Sequence, residues 1–317
     1  MSEESQKIFG KDGFTDYHSI HIAGIVPVAG QKLDYDFPWH DCLQPISSNF
    51  LAVERAVLEC ATAGCKTIWI ICPSGIQPLI KHRLGEQIED PAWLGRKYDG
   101  FPSESKKLIP IYYVESHPKD QGRRDSLVWS ILYGAKIAKN VSISMSKWIK
   151  PDKFYVAFPY GVYPSQHVRK FRTIISSEPN FFVGSPDGLT MKDNEYLGFT
   201  FKVHDLDRFI KKFRIKSTGY YDPTQPKEER TRGKFPSKYL PIEQRYSGRF
   251  FTLSDIFDDV DSTNSTTLEM EWYYNIDSWE GLCKFLGSKE RKKMNRPKAN
   301  MLKARSWNKI GEDDGQE

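Results

Sequence analysis

The stretch His21–Cys72 constrains the chain more than any other, because it reads as strand, glycine turn, loop, helix, glycine stop and second strand. The first strand, His21–Ala29, is a buried run that delivers Gly30-Gln31-Lys32 at its carboxyl end. A loop leads to Leu43-Gln44-Pro45-Ile46, a helix starts near Asn49, and Gly64 fits a left-handed stop before Thr67–Cys72. Phe50, Leu51, Val53, Val57 and Cys60 recur at helical spacing along one face of that helix. A buried strand that hands a glycine turn to its carboxyl end is where α/β folds place ligands.

The same alternation continues. Ile76–Leu84 reads as a helix, Leu108–Val114 as a third strand, Ser126 to about Asn140 as a helix and Lys153–Phe158 as a fourth strand. Strands and helices at this spacing predict an α/β domain whose mostly parallel central sheet carries helices on both faces. The second half is less regular. Phe181–Ser185 and Glu195–Val203 read as strands and Leu206–Phe213 as a helix, and ordered structure returns at Phe250–Val260 and Glu269–Tyr274. The pattern predicts a polar leader over residues 1–19, a domain over 20–287 with a long charged loop at 217–249, and a basic, flexible tail over 288–317.

Composition narrows the class. With 317 residues, 39% apolar and 14% aromatic, the chain suffices for one large packed domain. No apolar run approaches the roughly 20 residues that span a bilayer, and the first residues lack a signal peptide's apolar centre. The five cysteines are odd in number and form no close pairs, so they read as small core residues in a reducing compartment rather than as disulfides or a zinc site. The expectation is a soluble, cytoplasmic protein. Of the net charge of +5, nine basic residues against Glu290 alone sit in Ser288–Lys309, which leaves the rest of the chain slightly acidic. That segment suits a solvated end or a salt-sensitive contact with an acidic or nucleic-acid partner.

Four places carry a resemblance to the sugar-phosphate nucleotidylyltransferases, a family with the glycosyltransferase-A type of nucleotide-binding fold. Pro27-Val28-Ala29-Gly30 and Leu43-Gln44-Pro45-Ile46 are similar to the ends of its opening motif. Val53–Cys72 resembles its helix, Ala-Gly break and isoleucine-rich strand. Glu115, Pro118 and Gly122 followed by Asp125-Ser126-Leu127 resemble its strand, Pro, Gly and helix. Asn275-Ile276-Asp277-Ser278-Trp279-Glu280 is similar to its late Asp-Ile-Asp motif. The chain resembles a divergent member, because the second glycine and the arginine of the opening turn are missing. The strand that ends in a magnesium-binding aspartate in the family reads Phe158-Pro159-Tyr160-Gly161 here, without a carboxylate.

The resemblance implies transfer of a nucleotidyl group from an NTP to a sugar phosphate, giving a nucleotide sugar and pyrophosphate. It places nucleotide contacts at Ala29, Gly30, Gln31, Glu115 and Gly122, catalytic phosphate contacts at Lys32 and Arg123, and a magnesium ligand at Asp277. Each residue also has a plainer reading. Gly30 and Gly122 suit simple turns, and Glu115 suits a solvated strand end. His40, His117 and the loop aspartates Asp34, Asp36 and Asp41 suit surface roles. A catalytically degenerate nucleotide-binding or structural module on the same fold is therefore the alternative.

Overall fold

The computed structural model describes residues 20–30, 37–91, 107–118, 120, 124, 126–145, 150–217, 251–263 and 265–294, with the backbone of 301–302. The expected site residues Gln31, Lys32, Gly122 and Arg123, and nearly all of the long loop, lie outside these residues. Along the described chain run β1 (Ile22–Pro27), β2 (Pro45–Ser47), β3 (Phe50–Leu51), α1 (Ala52–Ala63), β4 (Thr67–Cys72), α2 (Gln77–Leu84) and β5 (Gln87–Glu89). There follow β6 (Leu108–Glu115), α3 (Leu127–Met145), β7 (Lys153–Val156), β8 (Gly161–Val162), α4 (Arg172–Ser177), β9 (Asn180–Gly184), β10 (Phe199–Lys202) and α5 (Val203–Ser217). The last are α6 (Leu253–Phe257), β11 (Ser265–Glu269), β12 (Tyr274–Asn275), α7 (Trp279–Gly287), α8 (Lys289–Lys293) and β13 (Met301–Leu302).

Nine strands form one sheet in the order β11-β9-β10-β7-β1-β4-β6-β5-β13. Its centre, β7-β1-β4-β6, is parallel throughout. Among the described strands of this sheet only β10 and β5 run against their neighbours. The mostly parallel sheet follows from the sequence, since β1 and β4 are buried at every residue and so read as unbroken apolar runs.

Successive residues of a strand face opposite sides of its sheet, and β1 shows which helix covers which side. A Cβ added at Gly24 would lie 2.8 Å from the Cys60 sulfur on α1. A Cβ added at Gly134 on α3 would lie 2.3 Å from Ile71 and 3.4 Å from the adjacent Ile25. The two helices therefore press on opposite faces of β1 at glycine-close range.

Two boundaries differ from expectation. Asn49 does not cap α1; it occupies the β2–β3 turn with φ 54° and is held there by Arg83 at 2.8 Å. The helix starts three residues later, where the Glu54 carboxylate accepts the Leu51 N–H at 2.9 Å. The expected strand Glu195–Val203 begins at Phe199, because residues 195–197 turn away to join a side-chain cluster described below. Within the basic C-terminal segment, Lys289–Lys293 is helical, Ser47 donates to the Met294 carbonyl at 2.6 Å, and Met301–Leu302 pairs with β5.

Every residue of α1 is buried, including Glu54, Arg55 and Glu59. A helix buried all round cannot leave charges unpaired. Arg55 donates to Glu59 at 2.8 Å across one helical turn and also to the Phe158 carbonyl just beyond β7. The other Glu59 oxygen accepts the hydroxyls of Tyr155 at 2.7 Å and Tyr163 at 2.6 Å. Tyr163 in turn accepts the Gly198 N–H at 3.1 Å and lies under the Arg55 guanidinium at 4.5 Å. Burial, and then the Glu59 charge, push both tyrosine hydroxyls well above their ordinary pKa, so both stay protonated and act as donors.

This network ties α1 to β7, to the chain after β7 and to the approach of β10. Removing either partner of the Arg55–Glu59 pair strands a charge in a dry interior, which costs about 3–5 kcal/mol. Arg55→Met should lower unfolding stability by that amount in urea titration, whereas a loss below about 1 kcal/mol would show that the pair does not organise the core.

Candidate functional site

The parallel strands β1, β4, β6 and β7 all point their carboxyl ends at one rim of the sheet. From β1 the chain moves to β4 on one side and later returns to β7 on the other, so the topological switch lies between β1 and β7. Ligands of open α/β sheets bind outside the strand ends at such a point. What the described residues place there decides what the site can do.

On the β1 side stands the glycine turn. The N–H groups of Val28 and Ala29 both donate to the Ile71 carbonyl, at 2.8 and 2.9 Å, and Ser130 on α3 donates to the Ala29 carbonyl at 2.7 Å. The backbone of Ala29 is thus engaged in fixing the strand end. Gly30 has φ 85°, and a Cβ there would lie 2.4 Å from the Ser126 carbonyl carbon at the start of α3. Only glycine suits both that dihedral and that approach. The Ser126 hydroxyl accepts the Trp129 N–H at 3.2 Å and caps the helix.

On the β6 side, Glu115 ends the strand, exposed, in register with Cys72 of β4. Burial, and then the Glu115 charge, push the Cys72 thiol up to about 12, which leaves it an inert core group. His117 is exposed. Arg124 pairs with Asp120 at 3.4 Å and sits over the Trp129 ring at 4.9 Å.

On the β7 side the chain carries Tyr160, fully buried. Its hydroxyl reaches the Val28 carbonyl at 3.5 Å and its own carbonyl accepts the Ile276 N–H at 2.9 Å. The Tyr160 ring thus occupies the space between the ends of β1 and β7. One residue beyond Ile276 comes Asp277, whose N–H donates to the Asn275 side chain at 3.0 Å.

A second carboxylate accompanies Asp277. Glu195, from the turn before β10, accepts the Tyr273 hydroxyl at 2.8 Å and the Asn275 amide at 3.3 Å. Burial, followed by the Glu195 charge, raises the Asp277 pKa above its ordinary value, against hydrogen bonds from Asn275 and Tyr196 that favour the anion. The partnership of Glu195 with Asp277 had no local sign in the sequence, because Tyr273 and Glu195 lie 78 residues apart.

The donor set can be compared with the magnesium expected from the resemblance. Magnesium takes hard oxygen ligands, commonly one or two carboxylates with substrate phosphates and water. Asp277 and Glu195 are oxygen donors on one side, but the β7 end offers a buried phenol ring where the bracket needs a carboxylate. Among the described residues no three His, Cys, Asp or Glu side chains gather as a metal site. The described residues do not fit a two-carboxylate bracket across β7 and β12.

No protein-family model and no curated protein matches the sequence. Among solved structures, the fold is similar to that of a protein described as a glucose-1-phosphate thymidylyltransferase from Bacillus anthracis, in complex with sucrose. The identity is 10%, the TM-score 0.51, and the match covers 87% of this chain and 98% of that one. A UDP-glucose pyrophosphorylase complexed with UDP-glucose aligns at 10% identity and TM-score 0.47, over 86% of this chain and 99% of that one. At such identity the likeness to the thymidylyltransferase establishes a nucleotidyltransferase-type fold.

The Asp277 shift has a measurable consequence. The folded protein holds this proton to higher pH than the unfolded chain, so between the ordinary value of 3.8 and the raised one the folded state binds more protons. Stability therefore falls as pH rises through that window, and the deficit persists at neutral pH. Asp277→Asn should be more stable than the parent at pH 7, with the difference shrinking as pH falls through the window. Urea midpoints at several pH values check this, and an equal or smaller midpoint for the variant at pH 7 would contradict it.

Proposed function

We propose that the chain is a nucleotidylyltransferase, binding an NTP at the β1–β7 switch point and joining its nucleotidyl group to a sugar phosphate. The reading rests on the left-handed Gly30 turn, which ends a fully buried strand directly against the start of α3. In the reaction, a phosphate oxygen of the sugar phosphate attacks the α-phosphorus of the NTP, and the bond to the leaving pyrophosphate breaks. Positioning and charge neutralisation provide most of the catalysis in such transfers.

In this reading Gly30 and Gln31 approach the phosphates, Ala29 shapes the turn, and Glu115 and Gly122 meet the base. Lys32 and Arg123 neutralise phosphate charge, Lys32 as a point charge rather than a bidentate fork. Asp277 is the group nearest in kind to a metal ligand, and no step is routed through a metal, given the donor set at the β7 end. The same observation favours a second reading, a nucleotide-binding module that has lost transfer chemistry, since Tyr160 fills the strand-end position with an aromatic ring. An acidic or nucleic-acid partner for the basic segment is a separate, unsupported expectation. No helix among the described residues is long and apolar enough to cross a membrane.

Calorimetry with each NTP and with UDP-glucose, with and without magnesium, tests nucleotide binding. Lys32→Ala and Arg123→Ala should each weaken binding about tenfold without shifting the melting temperature, and Gly30→Val should weaken both binding and stability. Absence of binding to any nucleotide overturns both readings. Binding without pyrophosphate release over a sugar-phosphate panel selects the second.

A further inference from the structure

At the end of β1, every N–H and C=O group of Val28 and Ala29 has a partner. Both N–H groups donate to the Ile71 carbonyl. The Val28 carbonyl accepts the Tyr160 hydroxyl at 3.5 Å, and the Ala29 carbonyl accepts the Ser130 hydroxyl at 2.7 Å. The next backbone donor, the Gly30 N–H, has no partner among the described residues. A strand end bonded this fully leaves one donor over, at the rim where α/β sheets take their ligands.

Ser130 sets the direction of that donor. A planar trans peptide holds its C=O and N–H on opposite sides. The Ala29 carbonyl is drawn to Ser130 on α3, so the Gly30 N–H faces away from that helix. Gly30 itself lies against Ser126, one helical turn before Ser130, where an added Cβ would be 2.4 Å from the carbonyl carbon. Two points of a single turn of α3 therefore grip the Ala29–Gly30 peptide.

The use of the Ser130 hydroxyl is specific to this contact. A serine inside a helix commonly bonds the carbonyl four residues back. Here the Ser126 carbonyl takes the Ser130 N–H at 3.1 Å, and the hydroxyl crosses to β1 instead. Ser130 and Ala29 are 4% and 3% exposed, so water does not compete for the bond. The donor that results stands beside the amino end of α3, whose dipole favours negative charge. An anionic oxygen gains more from such a donor than a neutral acceptor does.

We propose that Ser130 is a positioning residue, which aims the Gly30 N–H at a phosphate oxygen of the bound nucleotide. The proposal rests on the nucleotide reading and deepens it with a side chain that acts through the Ala29–Gly30 peptide.

Calorimetry with ATP, CTP, GTP, UTP and dTTP, together with amide NMR of Gly30, tests this on the full chain. Ser130→Ala should weaken nucleotide binding about tenfold, whereas Ser130→Thr, which keeps the hydroxyl, should lose less than about threefold. Thr62→Ala is the control for a merely structural loss. Thr62 donates to the Leu58 carbonyl at 2.6 Å inside α1, and its variant should bind nucleotide as the parent does. The Gly30 amide resonance should move on nucleotide binding in the parent and in Ser130→Thr, and move little in Ser130→Ala. Affinity unchanged by Ser130→Ala, equal losses in the alanine and threonine variants, or an equal loss in Thr62→Ala overturns the proposal. So does a bound nucleotide that leaves the Gly30 resonance in place. A parent that binds no nucleotide refutes the nucleotide reading, and the ligand-free spectra then decide Ser130. An identical Gly30 resonance in parent and Ser130→Ala removes its orienting role, and a displaced one upholds it. The same spectra show that each variant is folded.

Discussion

The arrangement of the strand ends depends on one interaction, the buried Arg55–Glu59 pair. It is costly to desolvate and repays this only through further hydrogen bonds, which here reach every polar atom of the pair except the Arg55 Nε. Here the repayment comes from distant parts of the chain: the Phe158 carbonyl, Tyr155, Tyr163 and, through Tyr163, the Gly198 amide. Gly198 is itself constrained by this, since a Cβ there would lie 2.5 Å from a Glu59 oxygen. The pair therefore fixes where β7 ends and how the chain leaves it. That exit delivers Tyr160 to the gap between β1 and β7, and through the Ile276 amide it also sets the position of Asp277.

Much of the sheet was legible because its central strands are buried on both faces. Ile22–Pro27, Thr67–Cys72 and Lys153–Val156 have no solvent side, so, apart from the leading Thr67 and Lys153, their residues form largely apolar runs that stand out without periodicity. Most strands that escaped reading are short. β2 and β5 have three residues, and β3, β8, β12 and β13 two each, too few for any pattern to repeat. The five-residue β11 escaped as well. Asn49 misled because its residue type suits both a helix cap and a left-handed turn. The choice was settled by Gln44, whose carbonyl accepts the Ala52 N–H at 2.9 Å and so places the helix start.

Of the candidate site, the sequence marked the Gly30 turn and, through the resemblance around Asn275–Glu280, Asp277. Gly30 announced a turn, and the turn is present. The other side is built from contacts between positions far apart in sequence, such as Glu195 with Tyr273 and Asn275, and no local pattern encodes them. The missing strand-end aspartate was visible as an absence, but the sequence did not say what replaces it. The replacement is a packed aromatic wall: Tyr160 meets Tyr196 edge-on at 5.9 Å, and Phe158 packs on Tyr196 at 5.7 Å and Phe199 at 6.2 Å. At the end of β7, packed aromatic rings stand where a carboxylate could have stood.

The pairing of β13 with β5 bears on how the molecule is made. The far edge of the sheet is closed by residues 301–302, more than 210 positions after the strand they cover. During synthesis every other strand of the sheet emerges first, and β5 must wait with one row of backbone groups unpaired. Contacts that span so much chain form slowly, because loop closure precedes their gain. The closing strand is therefore a late seam of the sheet rather than its nucleus.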